Sequence, residues 1–259
     1  MTLHPKLSLI VVAFYVSGLT SCGQQQAEHS MSQNLPVNKE NYTQNLLKRN
    51  INLDKVMARF GLSDVTQMDS TIWFELKYYG SDNFMRQKLY HSINRPYLQK
   101  DVALRLMKCS SYLRSKDTSL HLLIYDAVRP IEVQQKMWSA MDTIPVGERI
   151  KFISNPKNKS LHNYGAAVDL TICRSNRKPL DMGAGFDDIR LIAYPSYEAH
   201  FLETGELSKE QYKNRQLLRT VMRSQKFRNI PSEWWHFNAC PRWEAKQKYA
   251  LLEKEPFAN

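Results

Sequence analysis

Apolar and polar positions repeat with two different periods along this chain. Ile72, Phe74, Leu76 and Tyr78 alternate with Glu75 and Lys77, a period of two that predicts a half-buried strand. After Pro96 the spacing becomes helical, with Val102, Leu106, Cys109 and Leu113 on one face, and Leu120 to Tyr125 is then an apolar run of strand length. Val133, Met137 and Met141 predict another helix that starts just past Pro130, and Ala166 to Ile172 reads as a second buried strand. Ser208 with Gln211 forms a capping box, and Leu207 with Tyr212 a staple, ahead of a helix carrying Leu217, Leu218, Val221 and Met222. Trp234 to Phe237 predicts a short aromatic strand, and Trp243 to Leu252 a final helix. Helices and strands mix without a regular alternation, so the expected class is α+β rather than a doubly wound sheet.

The N-terminus follows another pattern. One basic side chain, Lys6, precedes an apolar stretch, Leu7 to Val16, that is too short to span a bilayer comfortably and reads as an export signal. It closes on Leu19-Thr20-Ser21-Cys22-Gly23, which resembles the lipobox of bacterial lipoproteins. That resemblance implies removal of residues 1–21, lipidation of Cys22 and anchoring to a membrane, with the protein facing the periplasm or the cell exterior. Gly23 to about Asn50 is polar and reads as a tether, which gives an expected organisation of signal (1–21), lipidated tether (22–52) and one domain (53–259). With Cys22 assigned to lipid, Cys109, Cys173 and Cys240 remain at irregular spacings, and no disulfide framework is legible.

Composition narrows the function classes. A chain of 259 residues with 42% hydrophobic and 24% charged positions is neither a disordered polymer, a collagen-like fibre nor a multi-span membrane protein. The 36 basic residues outnumber the 25 acidic ones, but acids are interspersed and no tight basic run exists. A solvated basic surface is therefore expected, and no nucleic-acid partner.

Three segments carry the candidate chemistry. In Ser160-Leu161-His162-Asn163-Tyr164-Gly165-Ala166-Ala167-Val168-Asp169, a glycine-containing loop can bring an imidazole back to a carboxylate on the following strand. Strand alternation sets Asp169 opposite Val168 and Leu170, and a buried carboxylate is costly unless paired or bound to a metal. Taken alone, the segment also suits a surface histidine and a capping aspartate that never meet. In Glu233-Trp234-Trp235-His236, strand geometry puts Glu233 and His236 on opposite faces, so a turn or bulge is needed to join them at one site. Alone, it equally suits an aromatic core strand with a satisfied histidine. Together, His162, Asp169 and His236 supply two nitrogens and one carboxylate, a set that zinc accepts with a fourth position left for water. Glu233 is then the base that takes the water's proton and returns it to the departing amine. In Asp126-Ala127-Val128-Arg129-Pro130, proline biases Arg129 toward an extended backbone that aims its side chain into a cleft, where a permanent cation can stabilise an oxyanion. An ordinary surface arginine fits that segment alone as well. Cys240, four residues after His236, can approach a metal or serve as a small buried hydrophobe.

The ordered combination of Ser160 to Asp169, Glu233 to His236 and Asp126 to Pro130 resembles the zinc D-alanyl-D-alanine dipeptidases of the VanX type. The resemblance extends to Leu76-Lys77-Tyr78 with Asn83-Phe84, Asp181-Met182-Gly183 with Phe186-Asp187, and Asn214-Arg215 with Leu217-Leu218. It implies one Zn2+ per chain on His162, Asp169 and His236, Glu233 as base, and Arg129 beside the tetrahedral intermediate. It further implies Asp187 as receiver of the dipeptide's ammonium, Ser160 on the pocket wall, and a small antiparallel sheet bearing the metal among packed helices. Asp188 stands next to Asp187 as an alternative receiver. Val128 occupies a position where the family commonly has an aromatic, which predicts a looser cleft near Arg129. Two rival readings share these residues: a zinc carboxypeptidase (D,D- or L,D-) trimming stem peptides of the wall, and a non-catalytic wall-binding lipoprotein.

Overall fold

The computed structural model describes residues 39–150 and 153–257; the export signal, Cys22 and the first part of the tether lie outside the described residues. Along the chain run α1 (Lys39–Ala58), β1 (Leu62–Asp64), α2 (Val65–Met68), β2 (Trp73–Phe74), β3 (Tyr97–Gln99), α3 (Lys100–Lys116) and β4 (Leu120–Asp126). There follow α4 (Ile131–Ala140), α5 (Val146–Arg149), β5 (Ala167–Arg174), α6 (Glu198–Thr204), α7 (Lys209–Arg223), β6 (Arg228–Asn229), β7 (His236–Asn238) and α8 (Arg242–Lys248). Five strands form one sheet in the order β2-β4-β5-β7-β6, antiparallel except where β2 joins β4, and β1 pairs with β3 in a separate ribbon. The class is α+β, as the mixed periodicities predict.

The sheet is narrow and its neighbours are helices. Val168, Leu170 and Ile172 of β5 share a core with Val102, Leu106, Cys109 and Leu113 of α3 and with Leu218, Val221 and Met222 of α7. Every one of those helical positions is fully buried, which is what a 3.6-residue stripe facing a sheet requires. A second core gathers Leu53 and Met57 of α1, Tyr90, Tyr97, Val133 and Met137, so α4 and the end of α1 cover the other side of the β1–β3 ribbon region. The Ser208 and Gln211 capping box forms as expected and starts α7.

Four elements differ from the sequence reading. The alternation at 72–78 survives as burial of Ile72, Leu76 and Tyr78, but only Trp73–Phe74 pairs with β4 before the chain turns in a 3-10 turn at Lys77–Tyr79. The polar stretch read as tether is helical from Lys39, and among the residues of α1 whose burial is described Leu53 is the first to enter a core. The aromatic strand begins two residues late, because the chain bends at Trp234 and Trp235. The last helix stops at Lys248, and Tyr249 takes an extended backbone.

Candidate active site

The sheet register assembles the site. Asp126 on β4 lies opposite Asp169 on β5, which lies opposite His236 on β7, so three ionisable side chains stand in one row across adjacent strands. A register irregularity between Ile124 and Asp126 brings Asp126 into that row. His162 comes from the 3-10 turn Leu161–Tyr164, whose start is fastened by a capping box between Ser160 and Asn163. The turn ends on Gly165 with φ +64, where an added Cβ would collide with Leu62. Only glycine meets both conditions, which explains the residue between the histidine and the aspartate.

His162 Nε2, His236 Nδ1 and Asp169 Oδ1 face one another. The two nitrogens are 3.1 Å apart, and Asp169 Oδ1 stands 2.9 Å from His236 Nδ1 and 3.3 Å from His162 Nε2. All three side chains are buried. Edges of this length match a tetrahedral ion with bonds near 2.0 to 2.1 Å, whose ligands sit about 3.3 Å apart. The remaining ring nitrogens are held from behind: His162 Nδ1 lies 2.6 Å from the Ala127 carbonyl oxygen, and His236 Nε2 lies 2.8 Å from Asn238 Oδ1. Each contact places the ring proton on the outer nitrogen and leaves the inner lone pair free for a cation. The residues present therefore fit a divalent metal. Without one, burial alone would raise the Asp169 carboxyl, but the two imidazoles beside it hold it far below the usual range, and Asp169 in turn keeps on His236 a second ring proton, with a pKa of about 9, that a bound metal would displace.

Glu233 joins this group through the bend at Trp234 and Trp235, which places its Oε2 3.8 Å from His236 Nδ1. Burial pushes its carboxyl up to about 7. Arg129 donates through Nε and Nη2 to Asp126 Oδ2 at 2.9 and 2.7 Å, reaches Asp169 Oδ2 at 3.4 Å, and lies over the Tyr78 ring. Tyr90 donates to the other oxygen of Asp126 at 2.6 Å. Asp126 was quoted in the sequence motif without a task; here it orients the guanidinium, and its signal was the three-residue spacing to Arg129 at a strand end.

Asp187 has φ +60, a backbone that a non-glycine residue adopts only when its surroundings impose it. Those surroundings are visible. Tyr78 Oη donates to Asp187 Oδ1 at 2.9 Å, the Phe84 N–H donates to Oδ2 at 3.3 Å, and neighbouring Phe186 packs among Tyr78, Tyr125 and Trp235. Further back, Arg215 donates to the Met182 carbonyl at 2.6 Å and Asn214 to the Asp181 carbonyl at 2.8 Å, so α7 pins the loop that carries Asp187. Burial pushes the Asp187 carboxyl up to about 7. Asp188 is already neutralised by Arg190 at 2.6 Å, which separates the two candidate acids.

One cavity of about 150 Å³ collects these groups: Arg129, Ser160, His162, Asp169, Asp187, Glu233 and His236 all line it. One expectation changes and one of two alternatives is decided. Val128 is buried in the second core and does not line the cavity, so it has no bearing on the cleft's width. Cys240 is a small hydrophobe packed with Leu161 and Ala245, and Cys109, Cys173 and Cys240 are all free thiols.

A buried two-histidine, one-aspartate cluster with a further, uncommitted carboxylate beside it on an α+β scaffold is the donor set and base that a metallopeptidase needs. Comparison with known proteins narrows that class. The sequence profile of the peptidase M15 D-Ala-D-Ala dipeptidases matches residues 58–253. A D-alanyl-D-alanine dipeptidase of Escherichia coli K12 is 33% identical over 182 residues, covering 68% of this chain and 86% of that protein. One from Enterococcus faecium is 26% identical over 213 residues, covering 77% and 95%. A solved structure, VanYB in complex with D-alanine-D-alanine, aligns at 14% identity and a TM-score of 0.35 over 60% of this chain and 78% of that one, too loosely to add to the case. The chain belongs to the D-Ala-D-Ala dipeptidase family of peptidase M15 and is a metallopeptidase.

Proposed function

We propose that this protein is a zinc-dependent dipeptidase that hydrolyses D-Ala-D-Ala to two D-alanines outside the cytoplasm, in turnover of the cell wall. The observation that carries the reading is the convergence of His162, Asp169, His236, Glu233 and Asp187 on one small cavity. A zinc ion on His162, Asp169 and His236 would supply a Lewis acid for the peptide carbonyl and make water nucleophilic near neutral pH. The chain's own groups account for the rest. Asp187 receives the substrate ammonium, whose unpaired burial would cost several kcal/mol, so peptides with a blocked amine are rejected. Glu233 takes one proton from the attacking water as the carbon–oxygen bond forms, and hands it to the amine nitrogen as the carbon–nitrogen bond breaks. Arg129, held charged and in place by Asp126, faces the oxygen on which negative charge develops. Ser160 Oγ accepts from the His162 N–H, which leaves its own proton for the substrate.

The Asp187 receiver favours the dipeptidase over a carboxypeptidase, whose substrates extend beyond that point. The cellular location rests on the export signal and the Cys22 lipobox; among the described residues no helix is long and apolar enough to cross a membrane. The test is a panel of free and N-acetylated D- and L-dipeptides with the zinc-supplied protein. Fast cleavage of free D-Ala-D-Ala and poor cleavage of its N-acetyl form are expected, and equal rates on both would remove Asp187 from ammonium recognition.

A further inference from the structure

A dipeptide at neutral pH is a zwitterion, and the reading above gives a partner to its ammonium alone. Resting on that reading, the cavity can be searched for the group that meets the carboxylate. Among the described residues that line it, the permanent cations are Arg129 and Arg242. Arg129 is committed: two of its nitrogens are occupied by Asp126, and one of these also leans on Asp169. Arg242 is different. It is exposed, and no carboxylate among the described residues lies within ion-pair distance of it.

Its position is built rather than incidental. Arg242 opens α8, and Ala245 one turn later is fully buried against Leu161, Tyr164 and Cys240. The helix is thereby seated on the turn that carries His162, and Arg242 comes to line the same cavity as Ser160 and Asp187. Asn238, which orients His236, and Ser232 also line the cavity and leave it polar here. An exposed guanidinium with no ion-pair partner among the described residues, lining a pocket in which Asp187 receives an ammonium, is complementary to a short zwitterion.

We propose that Arg242 receives the carboxylate of the substrate's C-terminal residue, so that the cavity reads both ends of the dipeptide and thereby its length. Arg242 is a specificity residue: it acts on substrate capture and leaves the bond-breaking groups as they are. Because Arg242 makes no side-chain hydrogen bond or ion pair among the described residues, its substitution is expected to be tolerated structurally.

The experiment compares D-Ala-D-Ala with its C-terminal amide, in the zinc-supplied full-length protein and in Arg242→Gln and Arg242→Lys, at low and high salt. In Arg242→Gln, kcat/KM for the free acid is expected to fall about fivefold or more, mostly through KM, while the amide is cleaved as before. Arg242→Lys should restore most of the loss. High salt should erode the wild-type preference for the acid, because an exposed cation is screened, and should leave the Gln variant flat. An unchanged ratio of acid to amide in Arg242→Gln, or an equal fall on both substrates, overturns the proposal while wild-type cleavage upholds the dipeptidase reading. A wild-type protein that cleaves neither substrate takes down that reading and the inference with it.

Discussion

Removing the Glu233 carboxylate should separate metal binding from turnover. Glu233→Ala leaves His162, Asp169 and His236 in place, so zinc content is expected to stay at the wild-type level while kcat falls by about 10²- to 10⁴-fold, read by metal analysis and steady-state kinetics on the same preparation. Asp187 makes a prediction in pH. Burial raises its carboxyl to about 7 in the folded chain, well above its unfolded value. A raised carboxyl favours the protonated form, so its contribution to stability is present below the unfolded value and is lost as pH climbs through about 7. Ammonium recognition needs the ionised form, so kcat/KM for the free dipeptide should rise through that same region. The N-acetylated dipeptide and Asp187→Asn should show a shallower limb, because the Glu233 carboxyl, also pushed up to about 7 by burial, titrates with every substrate while Asp187 adds to the rise only for a free ammonium. A limb of equal size on both substrates would assign it to another group.

At the scale of elements, Gly165 joins the turn carrying His162 to the strand carrying Asp169. Gly165→Ala places a Cβ at φ +64 against Leu62, and a loss of about 1–2 kcal/mol, seen as a thermal midpoint lower by several degrees, is expected together with weaker metal retention. The elements legible in the sequence were those whose burial follows one period. Val102, Leu106, Cys109 and Leu113 announce α3 because each turn of the helix returns to the same core, and Leu120 to Tyr125 announces β4 because both its faces are covered. The extent of β2 was not legible. Burial continues to alternate through Tyr78, while the backbone hydrogen bonds to β4 cease after Glu75, whose N–H donates to the Ile124 carbonyl at 2.8 Å, and nothing in the side chains records a missing ladder. The start of α1 was hidden for a related reason: its first turns are polar, and the docking that steadies it comes late, from Leu53, Met57 and the Asp54 ion pair with Arg95 at 2.6 Å.

Across the whole molecule, the metal set was legible because its residue types point to one chemistry, yet its geometry was not. Asp126, Asp169 and His236 become neighbours through pairing between three strands, and the contact of Arg129 with Asp169 exists only once that register is set. Arg242 reaches the cavity through the packing of α8, which no local pattern announces. The N-terminal reading is tested in cells: the protein should fractionate with membranes, and Cys22→Ser should abolish lipid labelling and release it. Soluble protein in the cytoplasm with Met1 retained would refute export. The central claim is that three distant side chains form one metal centre, and zinc content of the purified full-length protein tests it most directly. About one zinc per chain is predicted for the wild type and almost none for His162→Ala or His236→Ala; a wild type that binds no zinc, or variants that keep it in full, would contradict the account.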